Sequence, residues 1–252
     1  MGKLKENKIE KAGIRMKLRW IGQSGYVLED ETTQIMIDPY LSDIVYKVAG
    51  RPRMVEAPLR PEEITADYVI CTHDHLDHID AESIERMNRD EIQFICPASC
   101  KERLKSLGCN HITAIDTGES IYAGKFKITA VFAYHTVDAI GILIEYDSLK
   151  LYFTGDTMYH KRLEEMKEED ITIMFICING KLGNMSADEA VQLTEIINPK
   201  LGIPTHYGMF ESNTEDPARY TSKIKNGFIM DYNKEYLTYD TPEGVNITCS
   251  TI

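Results

Sequence analysis

Residues 72–80 read THDHLDHID, and they continue directly from the apolar run YVICT at 68–72. A short apolar run of this kind, leading into polar residues, reads as a buried strand. Asp80 stands where the N-cap of the following helix, AESIERMNR, belongs. His73 and His75 are two apart, so at the end of an extended strand they project to the same side. Asp77 and His78 fall in the turn before the helix and reach a neighbouring point. Four donors from one short segment therefore have the reach to serve two adjacent cations. The nearest thiol is Cys71, on the same side of the strand. A site of imidazole and carboxylate leaves room for water, unlike the closed, often cysteine-rich sites of structural zinc.

On the N-terminal side, apolar runs at 17–21, 26–28 and 34–37 are punctuated by Gly22 and Gly25 and end in Asp38-Pro39. This is a strand–turn–strand pattern. Residues 50–64 (GRPRMVEAPLRPEEI) form a polar loop too long for a tight connection, and such loops are often functional lids. On the C-terminal side, strands are expected at 93–96, 112–115, 120–122, 127–134, 139–146, 150–156, 172–178 and 201–207. A helix closed by Gly108 is expected at 99–108, another at 187–197 opened by the capping box Ser186-Ala-Asp-Glu189, and a last one from about Asp216 to Asn226-Gly227. About a dozen short strands in clusters, each followed by a helix, predict an α/β (α+β) chain of two packed sheets with helices outside.

Residues 1–15 are charged and aperiodic and read as an extension or expression remnant, which leaves one domain over 16–252. With 43% apolar and 27% charged residues the chain is globular in composition. Its net charge of −12 repels phosphate backbones, so no nucleic-acid partner is expected. No apolar run approaches the ~20 residues that cross a bilayer, and the N-terminal stretch lacks the apolar core of a secretory signal. The six cysteines contain no CxxC pair and lie mostly in apolar surroundings, as reduced thiols of a cytoplasmic protein would. The oligomeric state stays open, a homo-oligomer included.

Three further donors each follow an expected strand: His135 after KITAVFAY, Asp156 after KLYFTG, and His206 after LGIPT. Taken singly, a histidine is usually a packing residue. Three strand-terminal donors in a chain with seven histidines point instead to one site. Of the remaining histidines, His111 reads as a surface residue, while His160 lies close enough to Asp156 to support it.

HxHxDH, then a single His, Asp and His in that order, resembles the five-motif signature of the metallo-β-lactamase superfamily. The resemblance covers roughly residues 16–252 and implies a four-layered αβ/βα sandwich with a dinuclear site where the sheets meet. It implies one metal on His73, His75 and His135, a second on Asp77, His78 and His206, and Asp156 bridging both. Asp38, in IDPYL, matches an aspartate that supports such sites through hydrogen bonds. Within the superfamily the chain resembles the L-ascorbate-6-phosphate lactonase-like hydrolases, through WIGQSGYVLE, IDPYLSD, FTGDTMY, ICINGKLGNMSADEA and IPTHYGMF.

The chemistry implied is hydrolysis by a hydroxide made at neutral pH between two divalent ions, Mn or Zn. For a lactone the product is a hydroxy acid. Asp77 is expected to orient the nucleophile and carry a proton, with Asp156 and Tyr207 as further catalytic candidates. A phosphorylated, hence anionic, small-molecule substrate needs cations, for which Arg51, Arg53 and Lys181 are candidates, together with Asn184 of the NGKLGN loop. The alternatives are a phosphodiesterase on the same site, a β-lactam-degrading enzyme, which would call for an export signal, and a metal-binding module without catalysis.

Overall fold

The computed structural model describes residues 16–241 and 244–249. In chain order it contains β1 (Met16–Gly22), β2 (Gly25–Glu29), β3 (Gln34–Ile37), α1 (Ile44–Ala49), β4 (Tyr68–Ile70), α2 (Ala81–Arg86), β5 (Gln93–Cys96), α3 (Lys101–Ser106), β6 (Ile112–Ala114), β7 (Ser120–Ala123), β8 (Phe126–Phe132), β9 (Ile140–Tyr146), β10 (Leu149–Phe153), β11 (Ile173–Cys177), α4 (Ala187–Ile197), β12 (Leu201–Thr205), α5 (Ala218–Thr221), β13 (Glu235–Thr241) and β14 (Gly244–Cys249). The segment 1–15, read as an extension, lies outside the described residues.

The strands form two mixed sheets, ordered β14-β13-β1-β2-β3-β4-β5-β6 and β12-β11-β10-β9-β8-β7. Alternation along the first sheet divides its side chains between two cores. Tyr26, Leu28, Ile35, Ile37, Ile70 and Ile95 face the second sheet. Their neighbours Val27, Met36, Val69, Phe94 and Cys96 pack with Ile44 and Val45 of α1, Ile84 of α2 and Leu104 of α3. In the second sheet, β11 is buried at every position because it runs parallel between β10 and β12 with both faces covered. α4 lays Ala187, Ala190, Leu193 and Ile197 against that core. The result is the expected sandwich of two sheets with helices outside. Among the described residues no helix is long and apolar enough to cross a membrane.

α4 has the bounds expected from its capping box: Ser186 accepts from Glu189 N, Glu189 reaches back to Ser186 N, and Asn198 closes it in the left-handed region. The last helix is shorter than expected. Beyond Thr221 the chain turns to pair beside β12, where Gly202 N donates to Asn226 O at 2.9 Å and Phe228 N to Gly202 O at 3.0 Å. The hairpin β13–β14 was not anticipated; β13 covers the outer side of β1.

Candidate metal centre

Every donor singled out from the sequence leaves the C-terminal end of a strand, and those ends meet along one edge of the sandwich. His73, His75, Asp77 and His78 follow β4; His135 follows β8, Asp156 follows β10 and His206 follows β12. Two groups form. In the first, His75 Nδ1 lies 3.0 Å from His73 Nε2 and 3.1 Å from His135 Nε2. Three imidazole nitrogens cannot all donate to one another. A cation about 2.0–2.1 Å from each would set them roughly 3.3 Å apart, so the spacing fits a bound ion. In the second group, Asp77, His78 and His206 present their donor atoms to a common point. Asp156 spans the two: it joins His73 and His78 in a third donor group, with Oδ2 2.9 Å from His206 Nε2 and Oδ1 3.4 Å from His78 Nε2.

The outer partners hold the rings. Buried Asp38 lies 2.8 Å from His78 Nδ1 through Oδ2 and accepts from Thr72 N and Thr72 Oγ1 at 2.8 and 2.6 Å. The Thr72 hydroxyl is itself 3.1 Å from His73 Nδ1. The Gly183 carbonyl is 2.9 Å from His135 Nδ1, which leaves Nε2 of that ring to face the centre. Ser24 Oγ and Asn184 Nδ2 donate to Asp156 at 3.2 and 2.9 Å. Asp80 caps α2 through Ser83 N and also accepts from Leu41 N, Ser42 N and Ser42 Oγ, tying the segment after β3 to the histidine motif.

Burial, helped by neighbouring His78, holds His73 well below the ordinary imidazole range. His75 and His135 are lowered as well, chiefly by burial. These are neutral rings, the form that binds metal. Burial is the largest influence on His78 and His206 and lowers both, but the carboxylates together outweigh it and leave both raised: Asp156 with Asp38 at His78, and Asp156 with Asp77 at His206. Asp156 shows the converse: burial would raise it, yet the adjacent His206 and His78 hold it well below the carboxylate range.

Most of the other candidates are engaged in contacts within the chain. Tyr207 is buried with its ring 4.8 Å from Trp20, and burial pushes its phenol up. Arg53 stacks 4.5 Å over Tyr40 and donates to the carbonyls of Tyr40, Ser42 and Val55. Lys181 is exposed and donates to Ser212 O at 3.1 Å. Arg51 is half-buried. Asn184, read as a substrate contact, is spent on Asp156. His111 is exposed; His160 packs at a tilt against Phe132 and Tyr134 and caps the 3-10 helix Lys161–Glu169.

Two residues at the centre were not singled out from the sequence. Gln23 Nε2 donates to Asp77 Oδ2 at 2.8 Å, and Ser24 reaches Asp156. Both sit in the β1–β2 turn, where the only signal was a pair of polar residues between Gly22 and Gly25.

A beta-lactamase superfamily domain model matches residues 33–207. A UPF0173 metal-dependent hydrolase of Archaeoglobus fulgidus is 27% identical over 226 residues, covering 83% of this chain and 91% of its own. Among solved structures, the metallo hydrolase Igni18 of Ignicoccus hospitalis superposes with a TM-score of 0.74 at 23% identity, over 90% of this chain and all of its own. The metallo-beta-lactamase fold protein YhfI of Bacillus subtilis gives 0.70 at 18% identity, over 89% and 100%. The match over 33–207 contains all seven clustered donors, and the chain belongs to the metallo-β-lactamase superfamily.

Proposed function

We propose that the protein is a metal-dependent hydrolase that opens a small lactone. The observation that carries the first half is the convergence of His73 Nε2, His75 Nδ1 and His135 Nε2 beside a second donor group, with Asp156 between them. The relatives named metal-dependent hydrolases agree with it. His73, His75 and His135 would hold one divalent ion, Mn or Zn, and Asp77, His78 and His206 a second, with Asp156 shared. Such a pair supplies Lewis acidity and water activated at neutral pH.

The chain's own contribution is orientation and proton handling. Gln23 donates to Oδ2 of Asp77 and orients this carboxylate, which would hold the attacking water beside the second ion and pass its proton to the leaving alkoxide. Asp156 is kept ionised, so it neutralises the two raised imidazoles. Tyr207 faces Trp20 and is left out of this scheme.

The lactone rests on the NGKLGNMSADEA resemblance. A phosphate on it, as in L-ascorbate 6-phosphate, would have to be met by Arg51 and Lys181, because Arg53 is engaged by three carbonyls. The test is a parallel assay of metal-loaded protein on plain sugar lactones, L-ascorbate 6-phosphate and bis-para-nitrophenyl phosphate. Lactone opening as the fastest reaction is expected. A phosphodiester turned over orders of magnitude faster would replace the lactonase by a phosphodiesterase, and inactivity of fully loaded protein on all three would leave a binding module.

A further inference from the structure

Gln23 is fully buried, and its backbone sits in the left-handed region at φ 50° in the β1–β2 turn. A residue without a glycine's freedom adopts that conformation only where surrounding contacts hold it. Here the contacts come from both sheets. The Gln23 carbonyl accepts from Thr205 Oγ1 at 2.7 Å, from His206 N at 3.1 Å and from Trp20 Nε1 at 3.0 Å. Its side chain donates to Asp77 Oδ2 at 2.8 Å and lies 3.3 Å from His206 Nε2. The amide oxygen Oε1 is buried without a partner. An amide placed for its own satisfaction would not leave one end empty, so its position follows from the carboxylate it meets.

We propose that Gln23 is a positioning residue for the second half of the metal centre. Its main chain sets the His206 end of β12, and its amide decides which oxygen of Asp77 faces the cation. The two ligands come from different sheets, and Gln23 is the one residue among those described that touches both through hydrogen bonds. The inference rests on the two-ion reading above. The first group, His73, His75 and His135, makes no hydrogen bond to Gln23 and is left untouched by it.

The test is Zn²⁺ titration of the full chain against a chromophoric chelator, for wild type, Gln23→Leu and Gln23→Asn, with thermal melting of the metal-free proteins alongside. Asn tolerates a positive φ and keeps the carbonyl contacts but is too short to reach Asp77. Wild type is expected to take up two ions. In both variants one site should keep its affinity and the other weaken about tenfold or more, the usual effect of losing a partner that orients a ligand. Melting of metal-free Gln23→Asn should stay within a few degrees of wild type. Second-site affinity within twofold of wild type in both variants overturns the proposal, as does equal weakening of both sites. A wild-type stoichiometry of one overturns the two-ion reading itself, and this inference with it.

Discussion

Asp38 and His78 are joined by a 2.8 Å contact between Oδ2 and Nδ1, with both side chains entirely shielded from solvent. Asp38 reaches this position through a strained backbone, at φ 41° immediately after β3. The contact fixes the proton on Nδ1 and turns Nε2 of His78 toward Asp156.

Replacing Asp38 by Asn should therefore cost metal affinity about 10- to 100-fold while the fold persists. Asp38→Ala removes the acceptor for Thr72 N, Thr72 Oγ1 and His78 together. At about 1–3 kcal/mol per buried polar group left unpaired, it should destabilise the protein by several kcal/mol. Metal titration and urea unfolding of the two variants separate these effects.

In the metal-free protein the histidines impose a stability maximum. His78 and His206 have raised pKa values, so their contribution is complete below the unfolded imidazole pKa of about 6.5 and fades as pH rises above it. His73, His75 and His135 have lowered values; unfolding charges them, and their share falls away as pH drops below about 6.5. Chemical unfolding from pH 5 to 8 with chelator present should peak near the middle. A monotonic rise with pH would mean that His78 and His206 are not held protonated by Asp156.

Gly183 has φ +91°, and a Cβ built there would lie 2.7 Å from Thr136 Cγ2 and 2.9 Å from His135 Nδ1. Its carbonyl is also the partner of that ring. Gly183→Ala should displace His135 and weaken the first cation site selectively. Titration should show the loss there, with the Asp77, His78 and His206 site retained.

Cys71, Cys96, Cys100, Cys109 and Cys177 are buried thiols. Desolvation pushes Cys96 and Cys100 up to about 12 and Cys109 to about 11. They should resist a thiol reagent in the folded protein and react together on unfolding, and dithiothreitol should not lower the melting temperature.

The donors were legible in the sequence because each is local to a strand end. HDHLDH needs only an extended strand and a turn to converge, and His135, Asp156 and His206 close apolar runs that read unmistakably as strands. α4 was legible to the residue because a capping box is a local device. Gln23 was not, since its role arises from a turn conformation and from Thr205 and His206 approaching from the other sheet. Arg53 misled for a related reason. A basic residue on a polar loop reads as a free cation, but the loop folds it back over Tyr40 and onto main-chain carbonyls. The short last helix lost its C-terminal half to pairing beside Gly202, a contact no local pattern encodes.

The seven donors are divided between the sheets: His73, His75, Asp77 and His78 extend from the first, and His135, Asp156 and His206 from the second. Each of the two proposed ion sites draws ligands from both layers, so a cation held in either would bind only their docked arrangement. By mass action it then stabilises the sandwich, by about 4 kcal/mol at a thousand times its dissociation constant. Metal supply would then bear on how long the folded chain persists, and scarcity should register as faster turnover of the protein itself, before any question of substrate arises.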